Sequence, residues 1–226
     1  MIIWVGKFIC FLIINTTLLS CKADNHWTLP SDISSIDRII DSILIKQKNE
    51  TSKDLLDKNF MINVSKNYTL KGTIINDLKI GWWVFNGMND SLKIEYINIK
   101  DKPFKNQLIL YNKESIDRNF SKYYKVEKSI YDKDFLRYKI YYFIPLLSKS
   151  NQDYKIFYGL LDGENLLLKN ESFGKIKDDF IQFDIIIPSY KVCNDCILKM
   201  MLTQTVYDKS EERIIINQSF ISDTIN

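Results

Sequence analysis

The sequence is poor in the residue types that common catalytic centres require. Its 226 residues include one His, four Cys and seven Gly. A Ser-His-Asp or Cys-His site needs an imidazole held on a rigid scaffold, and His26 falls in a stretch that we interpret below as a tether. No pair of glycines has the spacing of a Walker or dinucleotide-binding loop, and the Gly-x-Ser-x-Gly motif is absent. Nucleophilic triads and phosphate-binding loops are therefore disfavoured.

Composition and charge exclude two further classes of protein. Hydrophobic residues make up 46% of the chain and charged residues 26%, which is typical of a globular protein rather than a disordered one. The 31 basic residues nearly balance the 28 acidic ones, and no run of Lys or Arg exceeds two residues. Proteins that bind nucleic acid carry a concentrated basic patch. We therefore expect no nucleic-acid partner.

Residues 1–20 have the layout of a secretory signal peptide. Lys7 precedes an apolar stretch at residues 8–14, and a polar and small segment ends at Ser20. The apolar stretch is shorter than the roughly 20 residues that span a bilayer. The segment Leu18-Leu19-Ser20-Cys21 resembles the lipobox of bacterial lipoproteins.

This resemblance implies a membrane anchor and a cellular location. In bacterial lipoproteins the signal is removed before the Cys, here Cys21, which is linked to a diacylglycerol and acylated on its new amino group. The chain would then contact a membrane through an N-terminal lipid anchor and belong to the bacterial cell envelope. Lys22 stands where an Asp would favour retention in the inner membrane, so the outer membrane is favoured. Residues 21–30 form a predicted polar tether.

The cysteines and histidine do not form a predicted metal centre. Cys10 leaves with the signal and Cys21 carries the lipid, so Cys193 and Cys196 remain. Two thiols and the tether residue His26 do not complete a tetrahedral zinc site. We predict no metal and no cofactor.

Residues 31–60 are predicted to be a helical segment made of short helices. Apolar side chains recur at helical spacing in its first half, at Ile33, Ile36, Ile40, Ile43 and Leu44. Ser31 or Asp32 is suited to cap the start. A second short helix is predicted to place Leu55, Leu56 and Phe60 on one face.

Residues 61–117 are predicted to form an antiparallel β-meander. β-Branched and aromatic residues become dense here, which suits a pleated, half-buried surface. Strands are predicted at 68–75, 79–85, 92–100 and 106–111. Turn residues at Asn76-Asp77, Asn86-Gly87 and 101–103 separate them. The segment Gly81-Trp82-Trp83-Val84-Phe85, with Glu95-Tyr96 and 106–111, resembles hairpin repeats of the MORN or YwqK type, which implies a similar hairpin shape.

Residues 118–226 are predicted to form an antiparallel β-sandwich, immunoglobulin-like in topology. Strands are predicted at 120–126, 135–147, 154–161, 180–187, 196–207 and 213–221, a spacing typical of sandwiches. Asp162-Gly163 is a hairpin signal. The whole chain is therefore predicted to be mainly β.

Cys193-Asn194-Asp195-Cys196 allows three interpretations: a structural disulfide, free thiols or a redox pair. A reactive Cys-x-x-Cys pair usually opens a helix, whereas a strand is predicted to follow Cys196. Asp195 would also raise the thiol pKa instead of lowering it. A turn brings its ends within about 7 Å, close enough for a bridge. The flanking residues therefore favour a structural disulfide.

Three aromatic residues are candidates for ligand binding. Trp82, Trp83 and Tyr96 could form a stacking platform for a sugar, although packing in a core is the commoner use of such rings. Adjacent Trp82 and Trp83 must face opposite sides of a strand, so one of them is the better candidate.

Three functions remain open at this stage. The first is a lipid-anchored, non-catalytic module that binds or assembles with an envelope protein. The second is glycan binding through Trp82 or Trp83. The third is a carboxylate-dependent hydrolase, for which two acids at a set separation are needed. The candidate acids are Glu95, Asp132, Asp134, Asp162, Glu164, Asp178, Asp179 and Asp184. Enzymatic activity is the less favoured outcome.

Overall fold

The computed structural model describes residues 33–51, 58–145, 152–193, 195–208 and 212–225. The predicted signal, the tether with Cys21 and His26, and Leu55 and Leu56 lie outside these ranges. The described residues form helix α1 (Ile33–Thr51) and strands β1 (Lys58–Asn63), β2 (Thr69–Ile75), β3 (Leu78–Asn86), β4 (Asp90–Ile99), β5 (Lys102–Asn112), β6 (Ser115–Ile116), β7 (Tyr123–Asp132), β8 (Phe135–Phe143), β9 (Gln152–Asp162), β10 (Asn165–Phe173), β11 (Lys175–Ile176), β12 (Ile181–Pro188), β13 (Cys196–Asp208) and β14 (Arg213–Ile225).

The first sheet is an antiparallel meander in which β1 to β6 lie in chain order. Tight turns set this order. Asn76 and Asp77 have φ of 50° and 61°, and Lys100 and Asp101 have φ of 52° and 57°. Two consecutive left-handed residues form the turn whose twist matches an antiparallel hairpin, and Asn and Asp tolerate that conformation. The structure thus confirms the predicted meander, since neighbouring strands are joined by short local connections.

Helix α1 covers one face of the meander sheet. Ile36 and Ile40 are buried against it, four residues apart on one side of the helix. The buried sheet residues in this core are Phe60, Leu70, Ile74, Trp83, Phe85, Leu92, Ile94, Tyr96 and Leu108. The opposite surface of the sheet, which carries Trp82, Glu95 and Gln107, is called the open face below.

The predicted second helix is wrong at Phe60. This residue lies in β1 and pairs with Gly72 of β2. Its ring packs 6.0 Å from that of Trp83, centroid to centroid. A pattern of three apolar residues does not distinguish a helix from a short strand, and the edge of the sheet supplied the partner. Gly72 allows this packing, because a Cβ there would lie 2.2 Å from the Trp83 indole.

The remaining strands form two four-stranded antiparallel sheets, ordered β7-β8-β12-β11 and β10-β9-β13-β14. Alternate residues of both sheets point into one shared core. Its largest members include Tyr138, Tyr142 and Phe183. With the strands lettered in chain order, these orders are A-B-E-D and C′-C-F-G, the arrangement of immunoglobulin-type sandwiches. The predicted sandwich and its topology are confirmed.

The two units meet along β5. Leu108 and Lys122 exchange two backbone hydrogen bonds of 2.8 Å, so the chain entering β7 is paired to the meander sheet. The Phe104 ring of β5 meets the Phe220 ring of β14 edge to face, with centroids 5.4 Å apart. We call this contact between β5, residues 120–124 and β14 the junction.

Within the described ranges, no helix combines the length and the apolar character that a membrane crossing demands.

Candidate functional site

Trp82 and Trp83 lie on opposite faces of the meander sheet. Trp83 has no exposed surface and lies beneath α1, whereas 41% of Trp82 is exposed on the open face. The alternation of a strand produces this difference between neighbouring residues. Of these two residues, Trp82 is therefore the one that offers an indole to a ligand.

Three neighbouring strands place Trp82, Glu95 and Gln107 side by side on the open face. Trp82 pairs in register with Glu95 of β4, which pairs in register with Gln107 of β5. Directly opposed residues on one face have Cβ atoms roughly 5 Å apart, so the three side chains are neighbours. Glu95 accepts hydrogen bonds from the amides of Gln107 and Asn106, at 2.8 and 2.7 Å. The carboxylate beside the exposed indole is thus held in one orientation.

Trp83 and Tyr96 are structural, which corrects their place in the proposed stacking platform. Tyr96 is only 2% exposed, and its ring meets that of Trp83 edge to face. Its hydroxyl donates a hydrogen bond to Asp37 of α1. Both rings are covered by the helix, so neither presents a face to a sugar.

The contact between α1 and the sheet contains a group of charged residues. Asp37 accepts a hydrogen bond from Lys105 at 2.8 Å, and Asp41 accepts one from buried Lys79 at 2.8 Å. The Lys79 ammonium also lies 4.7 Å from the centre of the Tyr96 ring. Burial acts to raise the pKa of Asp37, but hydrogen bonds from Lys105 and Tyr96 and the nearby lysine charges outweigh it and lower that pKa. These charges hold the helix on the sheet.

At the junction, the Asn106 side chain forms backbone hydrogen bonds with β14 of the kind that a neighbouring strand would form. Its side-chain oxygen accepts the Phe220 N–H at 2.6 Å, and its side-chain nitrogen donates to the Phe220 carbonyl at 2.8 Å. The Tyr124 hydroxyl donates to the same carbonyl at 3.0 Å. An amide carries one acceptor and two donors, so Asn106 satisfies edge-strand groups that no strand covers. Burial, together with the charge of Glu95, raises the pKa of Tyr124.

A cavity of about 480 Å³ opens at the junction. It is lined by Phe104, Lys105, Asn106, Gln107, Leu108, Phe120, Lys122, Pro145, Gln204, Ile216, Asn217 and Gln218. Burial, and to a smaller extent the charge of Lys105, lowers the pKa of Lys122 to about 8. Sequence reasoning missed this cavity. Its lining comes from segments far apart in the chain, and none of them forms a motif.

Cys193 and Cys196 are joined by a disulfide across a turn, with Cα atoms 5.2 Å apart. Asp195 adopts the left-handed conformation, with φ of 66°, and the Cys196 N–H returns to the Cys193 carbonyl at 3.3 Å. Cys196 begins β13 and is fully buried in the sandwich core. A strand, and not a helix, follows the pair, as predicted. The disulfide therefore lies where a structural bridge was expected.

Several of the candidate acids are held by protein partners. Asp184 accepts two hydrogen bonds from Arg137, at 2.8 and 3.0 Å. Asp179 forms an ion pair with Arg118 at 2.8 Å. Asp132 accepts the N–H of Lys133 at 2.7 Å. These contacts, like those of Glu95, give the carboxylates structural roles.

Among the described residues, no group of three or more His, Cys, Asp or Glu side chains is placed to hold a metal ion. Comparison of the chain with protein-family models, with curated proteins and with solved structures finds no match. The candidate surfaces are therefore defined by their chemistry alone. They are the open face around Trp82 and the cavity at the junction.

Proposed function

We propose that the protein is a lipid-anchored, non-catalytic binding or assembly module of the bacterial cell envelope. The observation that carries the binding role is Trp82, a large aromatic side chain that is 41% exposed on a sheet face. Exposed aromatic residues are enriched where proteins bind partners. The lipobox at residues 18–21 supports the anchor, and the paucity of His and Gly in the sequence supports a role other than catalysis.

The shape of the open face also supports a binding role. Helix α1 covers the opposite face of the same sheet, and the sandwich contacts part of the open face. The rest of the open face, including Trp82, remains accessible to a partner. Beside Trp82 it carries Glu95, Gln107 and the apolar Met61, which is 64% exposed. A rigid, mixed apolar and polar surface of this kind suits recognition without rearrangement.

The anchor is tested by labelling cells with a radioactive or clickable fatty acid. We expect the intact protein to be labelled and the Cys21→Ser variant to lose all label and leave the membrane fraction. Cys10→Ser is the matched control, because Cys10 is removed with the signal and its loss leaves labelling unchanged. Full labelling of the Cys21→Ser variant would contradict the proposal.

The binding role is tested by crosslinking in native membranes. A photoreactive residue placed at Met61 reports on the open face without removing Trp82. We expect one dominant crosslinked envelope component, identified by mass spectrometry, and its loss in a Trp82→Ala background. The same residue placed at Lys169, an exposed position on β10, serves as the control. Equal crosslinking from both positions would argue against a specific open-face partner.

The row of polar groups beside Trp82 favours glycan as a second candidate ligand. An indole stacks on the apolar face of a sugar ring, while carboxylate and amide groups hydrogen bond to its hydroxyls. Trp82 and Glu95 supply the ring and the carboxylate on one face of the sheet, and Gln107, which is 7% exposed, holds that carboxylate in place. Trp83 is not available for this role.

Glycan binding is tested on an array of envelope polysaccharide fragments. We expect Trp82→Ala to weaken binding of any captured glycan at least tenfold, with quenching of Trp82 fluorescence by that glycan in the intact protein. Met61→Ala, on the same face, is expected to bind within twofold of the intact chain. Unchanged binding by Trp82→Ala would remove the glycan candidate and leave protein recognition.

A further inference from the structure

The cavity at the junction has the size and lining of a small-molecule site. Its volume of about 480 Å³ lies within the range of ligand pockets, roughly 300–1,000 Å³. It is bounded by β5 on one side, by residues 120–122 on another and by β13 and β14 on a third. Its walls therefore come from both units of the fold, and it exists only when the two are joined.

The cavity carries an excess of positive charge. Among the residues that the structure describes, two lysines and no acidic residue line it. Lys105 already forms an ion pair with Asp37, at 2.8 Å. Lys122 differs, since its ammonium donates to the Gln218 carbonyl at 3.1 Å and has no carboxylate partner within the described ranges. A half-buried cation without an anion favours an anionic ligand.

The position of Lys122 is fixed by the backbone. Its N–H and C=O groups both pair with Leu108, so the residue is held like a strand position between the two units. The side chain then extends along the edge of β14 to Gln218. A preorganised ammonium loses little freedom when an anion arrives.

The rest of the lining suits a ligand with several hydroxyl groups. Five amide side chains take part: Asn106, Gln107, Gln204, Asn217 and Gln218. Asn106 uses both donors and its acceptor on protein groups, whereas each of the other four amides keeps hydrogen-bonding capacity for a ligand. The rings of Phe104 and Phe120 supply apolar surface beside them. Amides, aromatic rings and the Lys122 cation together match a sugar that carries a carboxylate.

We propose that the junction cavity binds a small sugar acid, whose carboxylate pairs with Lys122 and whose hydroxyls contact the surrounding amides. This inference goes beyond the proposed function, because its ligand is a small molecule and Trp82 does not line the cavity. Trp82→Ala is therefore expected to leave binding of the sugar acid unchanged. A failure of the cavity proposal can then be distinguished from a failure of the proposed role of the open face.

Isothermal titration of the full chain in detergent tests the inference, with D-galacturonate as the probe. We expect galacturonate to bind at least tenfold more tightly than D-galactose, its neutral counterpart. Lys122→Met is expected to reduce galacturonate affinity at least tenfold. Lys125→Met removes a similar charge three residues along the chain, from an exposed position, and is expected to bind within twofold of the intact protein.

A second variant keeps the test decisive if Lys122→Met does not fold. Ile216 lines the cavity and is 59% exposed, so Ile216→Trp narrows the cavity with little disturbance of the core. It is expected to abolish galacturonate binding while keeping the far-UV spectrum. Equal affinity for galactose and galacturonate would overturn the proposal. Inorganic phosphate that binds as tightly as galacturonate would also overturn it, because the cavity would then be a general anion site.

Discussion

Trp82 and Trp83 are consecutive and identical, yet one is exposed and the other is fully buried. The pleat of β3 alone separates them. The sequence predicted that they face opposite sides of a strand, but it could not tell which side α1 covers. That depends on where a helix some forty residues earlier in the chain packs. At the residue scale, position on a sheet face therefore decides between a core role and a binding role.

The Cys193–Cys196 bridge is expected to add modest stability. It closes a very short loop, for which the loss of chain entropy on crosslinking is worth about 2 kcal/mol. We expect Cys193→Ala/Cys196→Ala to lower the free energy of unfolding by about that amount and to keep the fold. Urea denaturation followed by circular dichroism measures the change.

Chemical reduction of the disulfide in the intact chain provides the control for this prediction. Dithiothreitol should destabilise the intact chain by a similar amount and leave the double variant unchanged. A double variant as stable as the intact chain would show that the bridge contributes nothing to folding. Complete unfolding on reduction would show instead that β13 cannot form without it.

At the scale of the element, helix α1 depends on packing against the sheet for its stability. The helix propensity of its residues alone does not supply that stability. The helix has a low mean hydropathy and is rich in Ile, a moderate helix former. Burial of Ile36 and Ile40 and the contacts of Asp37 hold it on the sheet. Periodicity predicted the helix, because helical spacing of Ile is visible in the sequence. The charge contacts were not predictable, since Lys79, Tyr96 and Lys105 come from three different strands.

Asp37 is expected to make the helix contact sensitive to acid. Its pKa is lowered in the folded state, so its contribution to stability is present above the ordinary pKa of 3.8 and is lost as the pH falls through the lowered value. We expect Asp37→Asn to lose about 1.5–3 kcal/mol of unfolding free energy at pH 7, because hydrogen bonds to a charged group contribute that much. Urea denaturation at pH 7 and at pH 3 measures both effects.

Asp101→Asn is the matched control for this experiment. Asp101 is an exposed carboxylate in the turn between β4 and β5, and Asn tolerates its left-handed conformation. The control should unfold with the same free energy as the intact chain at pH 7. If Asp37→Asn matched the control, the helix would be held by apolar packing alone.

The strands of the sheets were easier to predict than the elements beside them. Short turns and alternating apolar residues leave clear signals, so β2 to β4 and most of the longer strands of the sandwich lie close to their predicted ranges. β5 begins four residues earlier than predicted, at Lys102, and β7 extends six residues past its predicted end, to Asp132. Phe60 and β1 were missed because an edge strand needs a partner that the local sequence does not reveal. β10 was indicated by the Asp162-Gly163 turn alone, and Gly163 has the left-handed φ of 56° that this turn requires.

At the scale of the whole molecule, one asparagine side chain links the two units. Asn106 bonds both backbone groups of Phe220, and it also donates to Glu95 of the open face. The junction cavity lies directly beside these bonds. The relative placement of the meander sheet and the sandwich, and hence the shape of the cavity, therefore depends on this residue.

Asn106→Ala is expected to loosen the junction while both units stay folded. The substitution leaves the Phe220 N–H without its acceptor, and a buried unsatisfied group costs about 1–3 kcal/mol. We expect the amide of Phe220 to exchange with solvent at least tenfold faster, as measured by hydrogen–deuterium exchange.

Asn112→Ala supplies the comparison, because Asn112 lies on the same strand and is exposed. Exchange at Phe220 should not change in this variant, and exchange at Ile140 in the sandwich core should not change in either. Unaltered exchange at Phe220 in Asn106→Ala would show that the Tyr124 contact and apolar packing hold the junction without Asn106.

Local features of this protein can be read directly from its residues: the lipobox resemblance, the Ile-rich helix, the alternating strands, the turns and the short disulfide loop. Each of these follows from residues within a few positions of one another, where periodicity and turn chemistry act. The exposure of Trp82, the contacts by which Asn106 joins the units and the place of Lys122 in a cavity become visible in the folded chain alone. These depend on residues up to about a hundred positions apart, whose encounter is set by the packing of whole sheets and helices rather than by any local pattern.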